Sequence, residues 1–586
     1  MLKQKNVYVV LFIFVSAFLF SQVAADPSDF FYSDLIRWEA KSLVTNLPAV
    51  RPYPLQIVKK ILETVIEKGD KTQQEIAQNH YDRFFGRSLS VGGKSEAVID
   101  TEKSRKQLSL AIALDVNHFI EENLSISGSF EGWAVNKIHS QEILPVMYVS
   151  EKDLIEDNSK VGPFYILPSM NTSVCYGTTE YYFNTGLMRG SFGPIHENGV
   201  VLGTQAFHTG QFTFVADKDI WGFTSSLFSL VATSALSNSG DPDTQFYAGK
   251  FLALHSLNFK PFPWFEIGLF ESVLYGNRFE PLYLIPFSVF FISQALVGYE
   301  DNSWLGGMFT VKPIPGLKID GVLYADDISF KDIVTFKKEQ KWRIAGQLAT
   351  LYSPVKSGLL NLLSIDYTMV TPFAYSHKEG EYYDFYAPNH LNYLHAGTPI
   401  GASLEPNSDR LNLQVSVTPL EKLDVTFIGT LIRHGNINEN LEQKWIREYV
   451  SSTIPYVTDG SIKNASATKV GHVFNYSSPF LAQDTLQYIF QTGFDVKCRL
   501  PVLKTGGYML FKLGYRFEYN ANSGINNQIY SYDPILAPNL TDPNNPVYAT
   551  DPQKDASAAS QLEAWRSAAT GGKVNNYISA GFEYFF

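Results

Sequence analysis

The 586-residue chain has only two cysteines, Cys175 and Cys498. A disulfide-rich scaffold is excluded, and one disulfide is the most the chain could form. Cys498 lies in "LQYIFQTGFDVKCRL", on the parity of Leu486, Tyr488, Phe490, Phe494, Val496 and Leu500. That is the apolar face of a strand, so a small buried hydrophobe is the favoured reading. Charge is also scarce: Asp, Glu, Lys and Arg make up 18% of residues, fewer than an intracellular enzyme usually carries. After residue 25 no uninterrupted apolar run reaches membrane-spanning length. The longest, "LIPFSVFFISQALVG", is broken by Pro286, Ser288, Ser293 and Gln294, which argues against a helical span. Catalytic signatures are missing too. The 11 histidines are scattered, with no H-E-x-x-H or G-x-S-x-G motif. His390 and His395, in one loop, read as surface residues. No enzyme activity, cofactor or metal site is expected.

Aromatic residues are abundant, at 14%, with 33 tyrosines, and mean hydropathy is close to zero. This balance suits strands and membrane-interface belts. Residues 1–25 have the layout of a cleaved signal peptide. Lys3 and Lys5 precede the 14-residue apolar core "VYVVLFIFVSAFLF", and "VAA" ends at Ala25, placing cleavage between Ala25 and Asp26. No cysteine follows the cut, which excludes a lipoprotein anchor. Removing the two lysines takes the net charge from −11 to −13, a poor match for nucleic acid.

Residues 26–87 read as a small helical plug. "SDLIRWEAKSLVTNL" suggests a Ser33-Asp34 cap, Pro54 starts a second helix that stops at Gly69, and a Thr72-to-Glu75 capping box opens a third. In that third helix His80 follows Ile76 by one turn, as a packed or surface residue rather than a ligand.

From about residue 104 the apolar period changes from 3.6 to 2. In "QLSLAIALDV", Leu108, Leu110, Ile112, Leu114 and Val116 alternate with small or polar residues. "RLNLQVSVTPLEKLDVTFIGTLI" and "YMLFKLGYRFEY" repeat the scheme. A sandwich could alternate in this way, so the connections decide. Short turns near Glu121-Asn123, Pro261-Pro263, Pro313-Gly316, Pro354-Gly358, Pro419-Lys422 and Pro501-Gly507 take turns with long segments. The long ones are roughly 276–302, 325–341, 372–410, 434–484 and 520–574. This is the asymmetry of an all-β transmembrane barrel, residues 88–586, in a bacterial outer membrane. Three strands before residue 135, one of them weak at 88–94, and eleven after 246 leave four for 160–245. The total is about 18 antiparallel strands, with 16 the nearest competitor. The terminal "NNYISAGFEYFF" puts Phe582, Tyr584 and Phe586 on the lipid face and reads as the signal by which barrel-assembly machinery recognises a closing strand. Outer-membrane lipid and that machinery are the expected partners of a monomer.

Several longer stretches resemble the capsule-assembly Wzi family of outer-membrane proteins. They are "LMRGSFGPIHENGVVLGTQAF", "LHSLNFKPFPWFEIGLFESVLYGNRFEPLYLIPF", "GYEDNSWLGGMFTVKPIPGLKIDGVLYADD", "IDYTMVTPFAYSH" and "NYLHAGTPIGASLEPNSDRL". In the last, Tyr393, Gly397, Ile400-Gly401 and Pro406 to Asp409 match the family pattern, while Ala402 and Glu405 depart from it. The resemblance implies an 18-stranded barrel, a periplasmic helical bundle, loops that close the lumen, and a lectin role toward capsular or other surface polysaccharide. Such a surface needs aromatic faces for sugar rings and carboxylates or amides for hydroxyls. Tyr299, Asp301, Asn302, Trp304, Asp326, Asp327, Tyr382, Tyr383, Tyr386 and Tyr393 are the candidates. Interfacial or loop packing is the competing reading for each aromatic. The competing function is a transport channel, a porin or a hydrophobic-substrate transporter gated by the N-terminal helices.

Overall fold

The computed structural model describes residues 26–586 except 102–104, 137–159, 207, 233–248, 277, 299–300, 327–342, 377–389, 396–397, 421, 441–479, 503–506, 527–535, 538–546 and 549–550. The expected signal peptide, Ala25 included, therefore lies outside the described residues.

Eighteen antiparallel strands close into one barrel. They are β1 (Leu89–Asp100), β2 (Arg105–Glu121), β3 (Leu124–Val135), β4 (Phe164–Gly177), β5 (Tyr181–Met188), β6 (Thr209–Asp217), β7 (Trp221–Val231), β8 (Gly249–Phe262) and β9 (Phe265–Gly276), followed by β10 (Asn302–Ile314), β11 (Leu317–Asp326), β12 (Arg343–Tyr352), β13 (Leu360–Val370), β14 (Ser408–Leu420), β15 (Leu423–Gly435), β16 (Leu486–Val502), β17 (Gly507–Ala521) and β18 (Gly572–Phe585). The 16-strand alternative is thereby set aside. β18 pairs with β1 to close the ring, Gly92 opposite Phe585 and Ile99 opposite Ile578.

β1 was hard to read because its outward positions are mostly small, Gly93, Ser95 and Ala97, and its inward ones include Lys94 and Glu96. Gly92 is required at the seam, since a Cβ there would lie 2.5 Å from the Phe585 ring.

The alternation sorts side chains by solvent. Ile112, Leu257, Leu269, Leu305, Leu413, Phe490, Phe511 and Ile578 are exposed on the outer wall. Their strand neighbours Thr213, Ser256, Ser272 and Asp320 are buried in the lumen. Apolar outside and polar inside is the arrangement that lipid enforces on a barrel. No helix among the described residues is long and apolar enough to cross a membrane. Both cysteines are free. Cys175 is buried, whereas Cys498 is only half-buried, because the apolar face it shares is the lipid wall rather than a core.

Three helices precede β1: α1 (Phe30–Ala40), α2 (Leu55–Lys68) and α3 (Lys71–Phe85). Two caps differ from expectation. Asp29 caps α1, accepting from the Phe31 amide, and Asp70 caps α3, accepting from Gln73. Ser33 and Asp34 instead fall inside α1, and Thr72 inside α3. An Asp that reaches the N2 or N3 amide supplies what a helix start needs, and the later Ser and Thr are then free to be helical. Pro54 and Gly69 bracket α2 as expected. Phe31, Leu35, Trp38, Val58, Leu62, Val65 and Phe84 form a core that also takes in Cys175, Tyr182 and Val215 of the barrel wall. Two further helices, α4 (Phe290–Val297) and α5 (Asp551–Ala569), sit in segments read as plain loops.

Candidate functional site

Described segments enter the lumen from both ends. At the short-turn end, periplasmic in barrels of this kind, α1 and α3 are fastened to the wall by charge. Asp34 of α1, almost wholly buried, pairs with Arg37, with His80 Nε2 of α3 at 2.8 Å and with Arg499 of β16 at 2.8 Å. Arg499 also reaches Asp424 of β15 at 3.2 Å. Arg83 of α3 forks onto both oxygens of the Asp29 cap, at 2.7 and 2.9 Å. The Phe30 ring lies within 4.1 Å of the Arg83 guanidinium and 4.8 Å of that of Arg499. His80, expected to be packed, is packed, and its polar edge completes the network.

These surroundings set the titration of the plug. Burial works to raise the Asp34 carboxyl, but Arg499, Arg37 and His80 outweigh it and hold the group well below the usual carboxylate range. Burial, only partly offset by the hydrogen bond to Asp34, depresses His80 to about 4. Both folded-state values lie below the unfolded ones, so the plug binds fewer protons folded than unfolded. The stability that His80 contributes is therefore fully present above the unfolded histidine value and is lost as pH falls toward about 4. Protease access to α1 and α3 is expected to rise between pH 6.5 and 4. His80→Gln should flatten that part of the profile, leaving the more acidic carboxylate loss in place.

Two cavities flank this junction. One of about 820 Å³ opens between α1, α3 and the short turns, and is lined by Lys41, Arg87, Ser357, Lys422 and Tyr508. The other, about 280 Å³, lies in the lumen among Ile36, His196, Lys318, Asp366 and Lys497. Both are lined by Phe30, Arg37, Asp424 and Arg499, so the charged network stands between them.

Above the plug, Val50–Arg51 forms a two-residue ladder with Ser191–Phe192. Arg51 Nη1 donates to the Gly193 carbonyl at 2.8 Å, tying the N-terminal segment to the β5–β6 connection. That connection is buried in the lumen and its carbonyls are used. Tyr375 Oη donates to Val200 O at 2.5 Å, and Tyr393 Oη to Val201 O at 2.6 Å. Around them Trp304, Tyr324, Tyr375 and Tyr393 pack ring on ring. Trp304 lies 4.5 Å from Tyr324, 5.5 Å from Tyr375 and 5.6 Å from Tyr393 by centroids. Phe192, Val200, Leu202, Phe270, Ile400 and Leu404 complete an apolar core across the outer half of the lumen.

Several residues singled out for glycan contact are building material in this arrangement. Trp304 and Tyr393 are buried in the luminal stack, not displayed on a surface. Asn302 is buried, donating to Leu391 O at 2.7 Å. Asp301 accepts from Arg278 at 2.5 Å and from Tyr283 Oη at 2.6 Å, stapling the β9–β10 connection. Asp326 is buried in the ladder opposite Trp304 and Arg343. Parity explains these placements: Trp304 and Asp326 sit on the inward side of β10 and β11, a fact available from their strands. Tyr299, Asp327, Tyr382, Tyr383 and Tyr386 lie outside the described residues. His390 and His395, expected at the surface, are buried; His395 Nδ1 accepts from the Val231 amide at 2.9 Å. The luminal tyrosines Tyr324 and Tyr375, and the Asp34–His80–Arg499 triplet, were not anticipated. They join residues distant in sequence, and periodicity carries no signal of that.

No family model and no curated protein sequence matches the chain. Among solved structures, the chain is similar to Wzi of Escherichia coli, described as an outer-membrane protein involved in group 1 capsule assembly and a carbohydrate-binding β-barrel. Identity is 11%, over 96% of this chain and 99% of that one, with a TM-score of 0.50. OccAB2 of Acinetobacter baumannii aligns at 8% identity over 86% and 99% of the two chains, with a TM-score of 0.42. OprD of Pseudomonas aeruginosa aligns at 9% over 85% and 94%, with a TM-score of 0.39. The family resemblance therefore stands at the level of fold: this is an outer-membrane β-barrel of Wzi-like architecture.

Proposed function

We propose that the protein is a non-enzymatic outer-membrane barrel that holds surface polysaccharide on the cell exterior, its lumen closed rather than conducting. The observation that carries this reading is the apolar, ring-stacked filling of the outer lumen by the β5–β6 and β13–β14 connections. A channel has to keep a wetted path there, whereas a barrel that only presents its loops can fill the space. Water-filled pores of other barrels keep polar interiors in contact with water, whereas here the inward Ser272, Asn302 and Asp326 are buried beside the Trp304 stack. The barrel's likeness to a carbohydrate-binding protein adds to the reading, as do the tyrosines Tyr382, Tyr383 and Tyr386 in the β13–β14 connection. Contact with a polymer would be shallow and repeated, gaining retention from the polymer's own repeat.

Two measurements test the parts separately. In planar bilayers the intact protein is expected to give no steady conductance, and robust conductance would sink the closed-lumen reading. A deletion strain should shed surface polymer, with retention restored by the wild-type gene. Replacing Tyr382, Tyr383 and Tyr386 together by Ala should restore it poorly, by about tenfold if the three supply some 1.4 kcal/mol. Retention unchanged by the deletion would remove the polysaccharide role. The competing reading, transport gated by the helices, draws on the two cavities that meet at Arg37, Asp424 and Arg499. It predicts conductance once residues 26–87 are removed, together with uptake of a solute.

A further inference from the structure

The described part of the connection between β9 and β10, residues 278–298, stays out of the lumen. It folds over the outside of the barrel, onto the wall of β7, β8 and β9. On those strands the outward positions have the parity of the exposed Leu257 and Leu269, and they include Leu227, Phe251, Ala253, His255, Glu271, Val273 and Tyr275. Phe290 at the start of α4 is buried against Ala253, Val273, Tyr275 and Tyr283, and its ring stacks on His255 at 4.0 Å. The Phe287 ring stacks on Phe223 of β7 at 4.1 Å.

What the segment covers is unusual for a lipid wall. His255 and Glu271 face each other across the ladder, 2.7 Å apart, and point outward. They sit within the apolar outer wall, since Leu305, directly opposite Glu271 on β10, is 60% exposed. A bare ionisable pair on such a wall is costly. The segment resolves this locally: the Phe290 amide donates to Glu271 Oε1 at 2.6 Å, and the Phe290 ring roofs the imidazole.

α4 is also built inside out. Its polar residues Ser293 and Gln294 are buried toward the barrel, Gln294 Nε2 donating to Asp301 O at 2.9 Å. Its outer side, with the approach to it, carries Ile285, Phe287, Val289, Phe291, Ile292 and Leu296, exposed by 49–76%. A helix against water turns its apolar face inward. This one has the polarity of a helix with hydrocarbon on its outer side. Its exposed apolar surface is continuous with the belt formed by Leu257, Leu269 and Leu305, and that continuity identifies the occupant.

We infer that residues 285–296 are a membrane-embedded external buttress, whose outer face is solvated by acyl chains of the outer leaflet while its inner face shields the His255–Glu271 pair. The apolar run that was too interrupted to span the membrane is, on this inference, immersed in it sideways.

The test uses the full-length protein in liposomes, with Cys175→Ala and Cys498→Ala and one spin-labelled cysteine at a time. Phe287→Cys, Ile292→Cys and Leu296→Cys report on the buttress. Leu269→Cys and Leu305→Cys are lipid controls, and Lys71→Cys on α3 is the aqueous control. The buttress labels are expected to match the lipid controls in oxygen collision. They should collide with a water-soluble nickel chelate on the order of tenfold less than Lys71→Cys, because hydrocarbon excludes a polar reagent. Nickel collision as high as at Lys71→Cys would overturn the inference by putting the segment in water. Dipolar broadening between labels of two copies would also overturn it, since a second chain rather than lipid would then cover the face. Neither readout depends on whether the protein binds polysaccharide.

Discussion

On the closed-lumen reading, Trp304→Ala is expected to convert a silent barrel into one that conducts intermittently. Trp304 sits at the centre of the luminal stack, in ring contact with Tyr324, Tyr375 and Tyr393. Cutting a buried Trp to Ala costs about 3–5 kcal/mol, through lost transfer energy and the cavity left behind. That cost falls on the packing that joins the β13–β14 connection to β10 and β11. At 1.4 kcal/mol per factor of ten, the open fraction of the seal should rise by at least a hundredfold. Single-channel recording is the direct measurement, with Trp304→Phe as the milder comparison. A Trp304→Ala protein as quiet as its parent would place the seal elsewhere in the lumen.

Asp34→Ala is the second large effect, and it acts at the opposite end. Deleting one member of a buried charge network costs about 3–5 kcal/mol, because the partners are left buried and uncompensated. Here the stranded groups are Arg37, His80 and Arg499, with Asp424 keeping only part of Arg499. The plug should detach a hundred- to several-thousandfold more often. Hydrogen exchange at α1 and α3 reads this directly, while the heat resistance of the barrel on a gel stays as it was. Asp34→Asn, which can still hydrogen-bond, should lie between. Unchanged protection in Asp34→Ala would mean that the apolar contacts around Trp38 and Val58 hold the plug without the charges.

The barrel was legible because lipid makes one demand at every strand. Alternation in β2, β14 and β17 follows directly from having hydrocarbon on one side, and the contrast between short and long connections fixes the two ends. β1 was faint because its outward positions Gly93, Ser95 and Ala97 are too small to mark a lipid face. Site residues were less legible because composition cannot tell a sugar platform from a luminal stack. Trp304 and Tyr393 have the chemistry of the first and the place of the second. Asp301 was read as a ligand group because it is acidic and in a long connection, but its partners Arg278 and Tyr283 make it a staple. His80 and Arg499 are 419 residues apart (499 less 80), and only the closed ring brings them to one carboxylate.

The small ladder between Val50–Arg51 and Ser191–Phe192 joins parts that otherwise look separate. It fastens the N-terminal helices to the β5–β6 connection, whose Val200 and Val201 carbonyls hold Tyr375 and Tyr393. The helices and the luminal stack therefore share one run of contacts. On the closed-lumen reading, a load on α1 would be borne in part by the tyrosines of the stack, and a load on the stack in part by the helices.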